Sequence, residues 1–341
     1  MTGVPSLGAA SVGRPPASLV DVDVLEALLD GPRARGAFLL RAVLDPPWSL
    51  RIEDDAPLSV IAPLHASLWV CPDEGDPVEV PEGSVAIVRG PEHYTVTDTP
   101  GLVPDVVVYP GGRCTLVEDG RGLWDERSLG VRTWGIPGGT TQILVGSYEG
   151  HGEASRPLLS ALPHVAVHHP GDEGNPLLDV LVSEVAVESP GQRALLNRLL
   201  DVLLISTLRS WFAAQADEAP GWFRAQQDPA VGTALTLLHR EVAHPWTVDE
   251  LAGRVGVSRA ALGRRFTGTV GEPPMSYLSS WRLALAADRL TSSDATIAAI
   301  ARQVGYATPF SLSAAFKRAY GVSPQQYREA PPASVLARFS S

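Results

Sequence analysis

Sulfur-containing residues are scarce, because the 341 residues include only two cysteines and two methionines. Cys71 and Cys114 provide neither a disulfide framework nor a Cys-x-x-Cys metal pair. We expect both to be free thiols in a reducing compartment. A thiol-based redox-sensing switch stays open as an alternative, and it requires that their Cα atoms lie within about 7 Å of each other.

Long apolar runs are also missing. No stretch approaches the ~18 apolar residues that a membrane-spanning helix needs, and the N-terminal segment lacks the charged and apolar regions of a signal peptide. The expectation is a soluble cytoplasmic protein with no membrane partner. Its length and 45% apolar content suffice for the cores of two or three domains.

Positive charge is scarce and unevenly distributed. The chain has a net charge of −11, yet residues 230–341 contain 12 Lys and Arg against 7 Asp and Glu, whereas residues 1–229 contain 15 against 31. Contact with nucleic-acid phosphates requires basic charge. We therefore predict that only the C-terminal third contacts nucleic acid.

That third contains an internal duplication. In its first part, each residue recurs 49 positions later: Val248, Leu251, Ala252, Val255 and Gly256 correspond to Ile297, Ile300, Ala301, Val304 and Gly305. In its second part the separation is 50: Leu262, Phe266, Gly271, Pro274 and Tyr277 correspond to Leu312, Phe316, Gly321, Pro324 and Tyr327. A pattern shared over this length indicates a repeated structural unit.

Each copy predicts two short helices joined by a glycine turn. Apolar residues recur at i, i+3, i+4 and i+7, which places them on one helical face. Thr247 begins a capping box for the first helix, Gly256 ends that helix, and Ser258 caps the next. In the other copy Thr308 caps a helix with Pro309 at its first position. This is the order of a helix-turn-helix, whose second helix enters the DNA major groove; the alternative is a helical hairpin that only packs.

Residues 229–330 resemble the DNA-binding domain of the AraC/XylS regulators. The second copy ends in residues 316–328, FKRAYGVSPQQYR, a pattern similar to the end of that domain. The resemblance implies binding to double-stranded promoter DNA and activation through RNA polymerase.

The repeat selects candidate DNA contacts on the two second helices. In the first copy Arg264 is either a guanine reader or a phosphate clamp. In the second, Phe310 and Ala314 are placed to touch thymine methyl groups, or else this half contacts mainly the backbone through Lys317 and Arg318. In the linking helix, predicted over residues 275–290, Trp281 and Arg282 either meet phosphate or pack. The full candidate set is Arg259, Ala260, Gly263, Arg264, Arg265, Arg282, Pro309, Phe310, Ser313, Ala314, Lys317 and Arg318.

The N-terminal part predicts a short helix from Leu19 to Leu29 and then a β-rich domain. Short apolar and β-branched runs broken by Gly, Pro and Asp suggest a small barrel or sandwich; they lie at residues 37–43, 59–61, 67–70, 84–88, 106–109, 115–117 and 141–145. The segment is similar to the cupin-like sensor half of one AraC-type subfamily through Asp23-Val24-Leu25, Arg35-Gly36, Pro47-Trp48, His65 and the run from Pro81 to His93. The expected fold class is α+β, with a cupin-like β-barrel, a helical connector and a C-terminal all-α domain.

His65 and His93 are the candidate ligand-binding residues, and they line a cavity unless they are structural. Metal-dependent cupin enzymes use a His-x-His pair, a Glu and a later His. Here Ala66 and Ser67 follow His65, so the first pair is incomplete and we predict neither a metal nor another cofactor. An intact triad would favour the competing hypothesis, a cupin-type enzyme with a DNA-binding appendage.

Residues 176–214 return to helical periodicity with one apolar stripe followed by a second, wide one. We predict a helical hairpin that supports a homodimer, the alternative being packing within one chain. Residues 215–228 are polar and predict a linker. The expected divisions are a disordered tail (1–17), a ligand-sensing domain (18–160), a connector (161–228), a DNA-binding domain (229–330) and a tail (331–341). The predicted function is a ligand-responsive, sequence-specific transcription activator rather than an enzyme.

Overall fold

A computed structural model describes residues 24–29, 38–148, 152–171, 174–215 and 219–329. The predicted tails lie outside the described residues, as does the beginning of the predicted N-terminal helix. The described part of that helix is α1 (Val24–Leu29). No helix in these ranges is long and apolar enough to span a bilayer.

Thirteen strands of the described chain form two sheets. They are β1 (Phe38–Leu44), β2 (Ser49–Ile52), β3 (Leu58–His65), β4 (Leu68–Pro72), β5 (Val78–Val80), β6 (Val85–Arg89), β7 (Tyr94–Thr97), β8 (Val106–Tyr109), β9 (Arg113–Leu116), β10 (Ser128–Gly130), β11 (Thr133–Gly135), β12 (Thr141–Tyr148) and β13 (Val165–His168). One sheet has the order β10-β11-β1-β12-β3-β6-β13 and the other β5-β4-β7-β2-β8-β9. The cupin-like, β-rich fold is confirmed, but the expected barrel is wrong: no ladder of the described strands joins the two sheets into a closed cylinder.

The seven-stranded sheet is buried on both faces. Along β3, the first six residues are all buried, which agrees with a nearly continuous apolar run rather than an alternating one. Because neighbouring side chains in a strand point to opposite faces, Ile61 faces the other sheet, whereas Val60 and Ala62 face a layer of helices. The sheet therefore separates an intersheet core from a helical core.

The α-helices that follow in the described chain are α2 (Arg156–Ser160), α3 (Pro176–Val185), α4 (Gln192–Ala214) and α5 (Gly221–Arg224). Of these, α3 and α4 pack on the seven-stranded sheet. The predicted hairpin is confirmed by α3 and α4. The predicted polar linker is wrong over its described second half, because α5 lies there and Trp222 is only 7% exposed. Trp222 packs edge to face on Phe212 of α4, with ring centroids 5.5 Å apart.

The C-terminal part consists of seven helices. They are α6 (Pro229–Arg240), α7 (Val248–Arg254), α8 (Arg259–Val270), α9 (Pro274–Ser292), α10 (Ile297–Gln303), α11 (Pro309–Tyr320) and α12 (Pro324–Glu329). Leu262 and Phe266 of α8 belong to one continuous core with the helical face of the seven-stranded sheet, here called the shared core. The second copy has a separate core around Leu312 and Phe316.

Candidate DNA interface and sensor cavity

The first helix-turn-helix consists of α7 and α8, and local polar contacts fix its ends. The Thr247 hydroxyl accepts the Glu250 N–H at 3.1 Å, and the Ser258 hydroxyl accepts the Ala261 N–H at 3.2 Å. Gly256 between the helices has φ +73°, a left-handed conformation that glycine adopts without steric cost. The predicted turn is therefore present at the predicted residue.

The second helix-turn-helix consists of α10 and α11. Thr308 and Ser311 form a reciprocal capping box at the start of α11, with Pro309 as its first residue. Gly305 in the turn has φ +80°, and a Cβ there would lie 2.8 Å from the Cα of Ala243. The second copy thus repeats the architecture of the first and requires glycine more strictly.

The three arginines predicted on α8 differ in their partners. Arg264 is exposed and has no ion-pair or hydrogen-bond partner within the described residues. Arg259 forms an exposed ion pair with Asp249 at 2.9 Å. Arg265 donates two hydrogen bonds to Asp228, at 2.8 and 2.6 Å. Arg264 is therefore the arginine of this helix that needs to break no contact in order to reach DNA.

The residues of α8 beside Arg264 are small, and the space around them is not filled by other parts of the described chain. Ala260 is exposed, and a Cβ added to Gly263 would meet no atom of the described chain within 4 Å. Packing within the protein therefore does not require glycine at residue 263. The predicted close approach of DNA to residue 263 stays a prediction.

The exposed face of α11 is apolar at its beginning and basic at its end. Phe310 is 85% exposed, and Ala314 one turn later is also exposed. Pro309 and Ser313 are half-buried beside them, and Lys317 and Arg318 are exposed in the last turn. Exposure of an aromatic ring to water is unfavourable unless the ring has a binding partner. The exposed Phe310 ring therefore fits the predicted contact with thymine methyl groups.

The guanidinium of Arg282 on α9 is held by backbone carbonyls, and its predicted DNA contact stays a prediction. Its guanidinium donates to the carbonyls of Val242 at 2.8 Å and His244 at 2.6 Å, and burial lowers its pKa. Trp281 beside it is buried in the shared core. Of the two alternatives for this pair, packing is the one that these contacts support.

A cavity of about 560 Å³ lies between the two sheets and is called the intersheet cavity. Most of its wall is apolar or aromatic: Phe38, Leu40, Ala42, Leu50, Ile52, Ala56, Ile61, Tyr94, Val96, Val108, Tyr109, Pro110, Gly111, Gly112, Cys114, Trp134, Ile143 and Val145. Asp54, Asp55 and Ser147 complete it. A volume of this size and an apolar wall with few polar groups are typical of a small-molecule site.

The prediction that His65 and His93 line this cavity is wrong. His65 is at the exposed end of β3, 3.8 Å from Glu82, and His93 pairs with Asp55 at 3.2 Å outside the wall. Both lie near strand ends, where the alternation of faces no longer directs a side chain inward. Within the described residues, no group of three or more His, Cys, Asp or Glu could hold a metal ion.

Asp54 is the polar group of the cavity that the sequence did not reveal. Its carboxylate accepts the Ser147 hydroxyl at 3.2 Å and the Ala56 N–H at 3.1 Å. Ser147 also contacts the Ser59 hydroxyl at 3.1 Å. Burial raises the pKa of Asp54. In the sequence this residue stands in a Glu-Asp-Asp run that is typical of an exposed turn, so no local pattern marks it as buried.

The two cysteines are too far apart for an intrachain disulfide. Cys71 lies on β4 and Cys114 on β9, with β7, β2 and β8 between them in the same sheet. Four strand spacings of about 4.8 Å separate them by about 19 Å, well beyond disulfide range. Burial raises the pKa of both thiols, that of Cys114 to about 11, which disfavours the reactive thiolate. The redox alternative that requires this pair is therefore wrong.

Comparison with known proteins gives the family. A family model described as Cupin matches residues 23–213, and one described as Helix-turn-helix domain matches residues 251–330. An AraC-like transcription regulator of Streptomyces antibioticus is 34% identical over 76% of this chain and 82% of its own length. One of Streptomyces lividans is 30% identical over 91% of this chain and 99% of its own. The DNA-binding domain of AdpA, solved in complex with a target DNA, is 28% identical over 33% of this chain and 99% of that one, with a TM-score of 0.29. The chain belongs to the AraC family of transcription regulators, with an N-terminal cupin domain and a C-terminal helix-turn-helix DNA-binding domain.

Proposed function

We propose that this regulator is ligand-responsive, and that a small molecule in the intersheet cavity changes its affinity for promoter DNA. The two recognition helices, α8 and α11, enter successive major-groove segments about one helical turn (~34 Å) apart. The protein acts in the cytoplasm as a homodimer and activates transcription through RNA polymerase. It binds its effector without turning it over, a proposal supported by the regulators to which it is similar.

The observation that carries this proposal is the position of the seven-stranded sheet. On its inner face Leu40, Ile61 and Ile143 line the cavity. On its outer face Leu39 and Leu144 belong to the shared core, which continues to Leu262 and Phe266 of the first recognition helix. Because protein interiors are close-packed, a ligand that moves this wall also moves side chains of the core behind it.

Helix α4 is the most direct link across that core. The Tyr148 hydroxyl at the end of β12 donates to the Leu200 carbonyl at 3.1 Å, and a Cβ on Gly146 would lie 2.7 Å from the Leu200 side chain. The far end of α4 carries Phe212, which packs on Trp222 of α5. A Cβ on Gly221 of α5 would lie 2.2 Å from the Thr269 carbonyl of α8. Close contacts therefore connect the cavity wall to a recognition helix.

The helices on either side of the second helix-turn-helix are linked to the N-terminal half by a different contact. The Asp288 carboxylate of α9 accepts the N–H groups of Glu153 and Ala154, which lie between β12 and β13. The Tyr327 hydroxyl of α12 contacts Glu153 at 3.4 Å. Both DNA-reading units therefore touch the N-terminal half, as a ligand-controlled regulator requires.

We propose that the functional divisions are 18–160 for sensing, a connector from 161, and a DNA-binding unit that begins near 219 rather than at 229. Helix α5 supports the change, because it packs on α8. Exposed apolar side chains on the hairpin, Val180, Leu195 and Val202, support its use as the dimer interface.

The test narrows the intersheet cavity. Ala42→Leu adds bulk to a residue of the wall, and Val103→Leu changes an apolar residue that is 81% exposed and serves as the control. Genomic fragments captured by the purified protein supply the operator. The cavity variant should change operator affinity by about 5- to 150-fold, the usual range of allosteric coupling, and the control should not. A folded Ala42→Leu protein with wild-type affinity would contradict a coupled cavity.

A further inference from the structure

We infer that the intersheet cavity selects a lipophilic amine: an apolar molecule with an ammonium group at one end and a hydrogen-bond acceptor at the other. The inference rests on the proposed ligand-sensing function and adds the chemical class of the effector. It follows from the charges and polar atoms of the cavity wall.

The charged residues of the cavity wall are all acidic. Asp54 and Asp55 are its only charged residues, and no lysine, arginine or histidine lines it within the described chain. Asp55 is paired with His93 on the outside, whereas the contacts of Asp54 are the neutral Ser147 hydroxyl and a backbone N–H. Asp54 therefore has no positively charged partner in its apolar surroundings, and a cationic head group would supply one. A carboxylate or phosphate would face two carboxylates there.

The other end of the cavity presents a donor. Trp134 is 2% exposed, it lines the cavity, and its indole N–H has no hydrogen-bond partner among the described residues. Because buried donors are nearly always paired, we infer that a ligand acceptor supplies the missing partner. Arg127 stacks on the Trp134 ring with its guanidinium carbon 5.6 Å from the centroid, which places positive charge behind this end.

Strand register gives the distance between the two ends. At one end, Asp54 contacts Ser147 of β12. At the other, Trp134 of β11 pairs with Ala42 of β1, and Ala42 pairs in turn with Ile143 of β12. Ile143 and Ser147 are four residues apart on the same strand. Four residues of a strand span about 13 Å, and two strand spacings of about 4.8 Å separate β12 from β11, so the two backbone positions lie about 16 Å apart. Between these ends the wall is apolar, including Leu40, Ile61 and Val145. A matching ligand therefore has an apolar body of about this length.

The experiment uses the full chain and four ligands with the same ten-carbon body: decylammonium, 1-decanol, decanoate and 10-amino-1-decanol. Calorimetric titration at pH 7, below the concentrations at which they aggregate, gives each affinity. Decylammonium should bind more tightly than decanol, decanoate most weakly, and the amino alcohol most tightly of all. Binding should weaken in Ala42→Leu, because the larger side chain narrows the cavity.

Two variants test the two ends separately. Asp54→Asn should weaken decylammonium by at least about tenfold, the size of a charge-assisted hydrogen bond, and leave decanol within about threefold. Asp125→Asn, which removes an exposed carboxylate outside the wall, is the control. Trp134→Phe should lower the affinity for the amino alcohol to that for decylammonium. Because it keeps an aromatic ring, Trp134→Phe also tests the inference if Asp54→Asn does not fold.

The outcomes separate this inference from the proposed function. Decanoate binding more tightly than decylammonium, equal effects of Asp54→Asn on amine and alcohol, or no binding of any of the four would overturn the amine assignment. If the amines bind as expected but leave operator affinity unchanged, the cavity chemistry stands and ligand-responsive regulation fails. If decanol or decanoate changes operator affinity and the amines do not bind, sensing stands and the chemical class is wrong.

Discussion

Replacement of Arg264 by alanine tests the DNA interface most directly. The side chain is exposed on α8, two residues from both Leu262 and Phe266, which are fully buried, and it has no ion-pair or hydrogen-bond partner among the described residues. Its removal therefore takes nothing from the fold. A lost bidentate guanine contact costs about 1–3 kcal/mol, which corresponds to about 5- to 150-fold in affinity. Arg264→Ala should show this loss, relax the preference at one or two base pairs, and leave Tm unchanged.

The adjacent residue provides a matched control. Arg265 has the same side chain on the same helix, but its guanidinium is held by Asp228, which also caps α6 by accepting the Ala230 N–H at 2.9 Å. Arg265→Ala should lower the free energy of unfolding by no more than about 1 kcal/mol, because the pair is partly exposed. It should not alter base preference.

Binding across a library of single-base operator variants, at two or more salt concentrations, distinguishes the roles. A uniform loss for Arg264→Ala over all operators, with a smaller salt dependence, would identify a phosphate clamp and refute base reading. Altered base preference in Arg265→Ala would show that the ion pair with Asp228 opens on DNA.

Three further predictions concern the rest of the molecule. Lys317→Ala should weaken binding to all sequences alike and reduce the log–log salt slope by about 0.9, as for one lost phosphate contact; a change in base preference would contradict this. A fragment of residues 219–341 should bind DNA with a steep salt dependence. A shorter fragment, residues 229–341, should be less stable because it lacks Trp222, which is buried in the shared core. Equal Tm values for the two fragments would refute the revised boundary. Burial lowers the pKa of His239 to about 3, so the unfolded state takes up a proton below pH ~6.5 that the folded state takes up only near pH 3. The free energy of unfolding should therefore fall from pH 6.5 towards pH 3, and this residue contributes at most about 1.4 kcal/mol per pH unit. Urea unfolding of His239→Gln should show a shallower fall with pH. An unchanged pH dependence in this variant would contradict the assignment.

The repeated helical units could be predicted from sequence because their signals are local. The predicted α7 helix starts after its Thr247 cap, as observed, and the two glycine turns occur at the predicted residues. Helix caps and apolar periodicity depend on residues within one or two turns. The same applies to the hairpin, where the Asn175 cap and Pro176 mark the start of α3.

Several strands were not predicted, because their formation depends on distant partners. Residues 165–168 form β13, which pairs with β6 at the edge of the larger sheet, and β2 lies between β7 and β8 in the other. Each of these strands is only four residues long, too short to show a clear alternation. The cavity residues also depend on distant partners, because strand pairing brings Asp54 and Trp134 to one cavity. The two histidines predicted from the sequence, His65 and His93, lie outside it.

The DNA interface shows the same limit at the level of single side chains. Sequence periodicity placed Arg259, Arg264 and Arg265 together on α8, but it could not assign their partners. The pair between Arg259 and Asp249 has both side chains about two-thirds exposed, and such pairs contribute at most about 1 kcal/mol. Since DNA carries one negative charge per ~1.7 Å of its axis, phosphate can replace Asp249 at little cost, whereas Arg265 would have to give up two hydrogen bonds to the half-buried Asp228. We therefore expect Arg259 and Arg264 to be more available to DNA than Arg265.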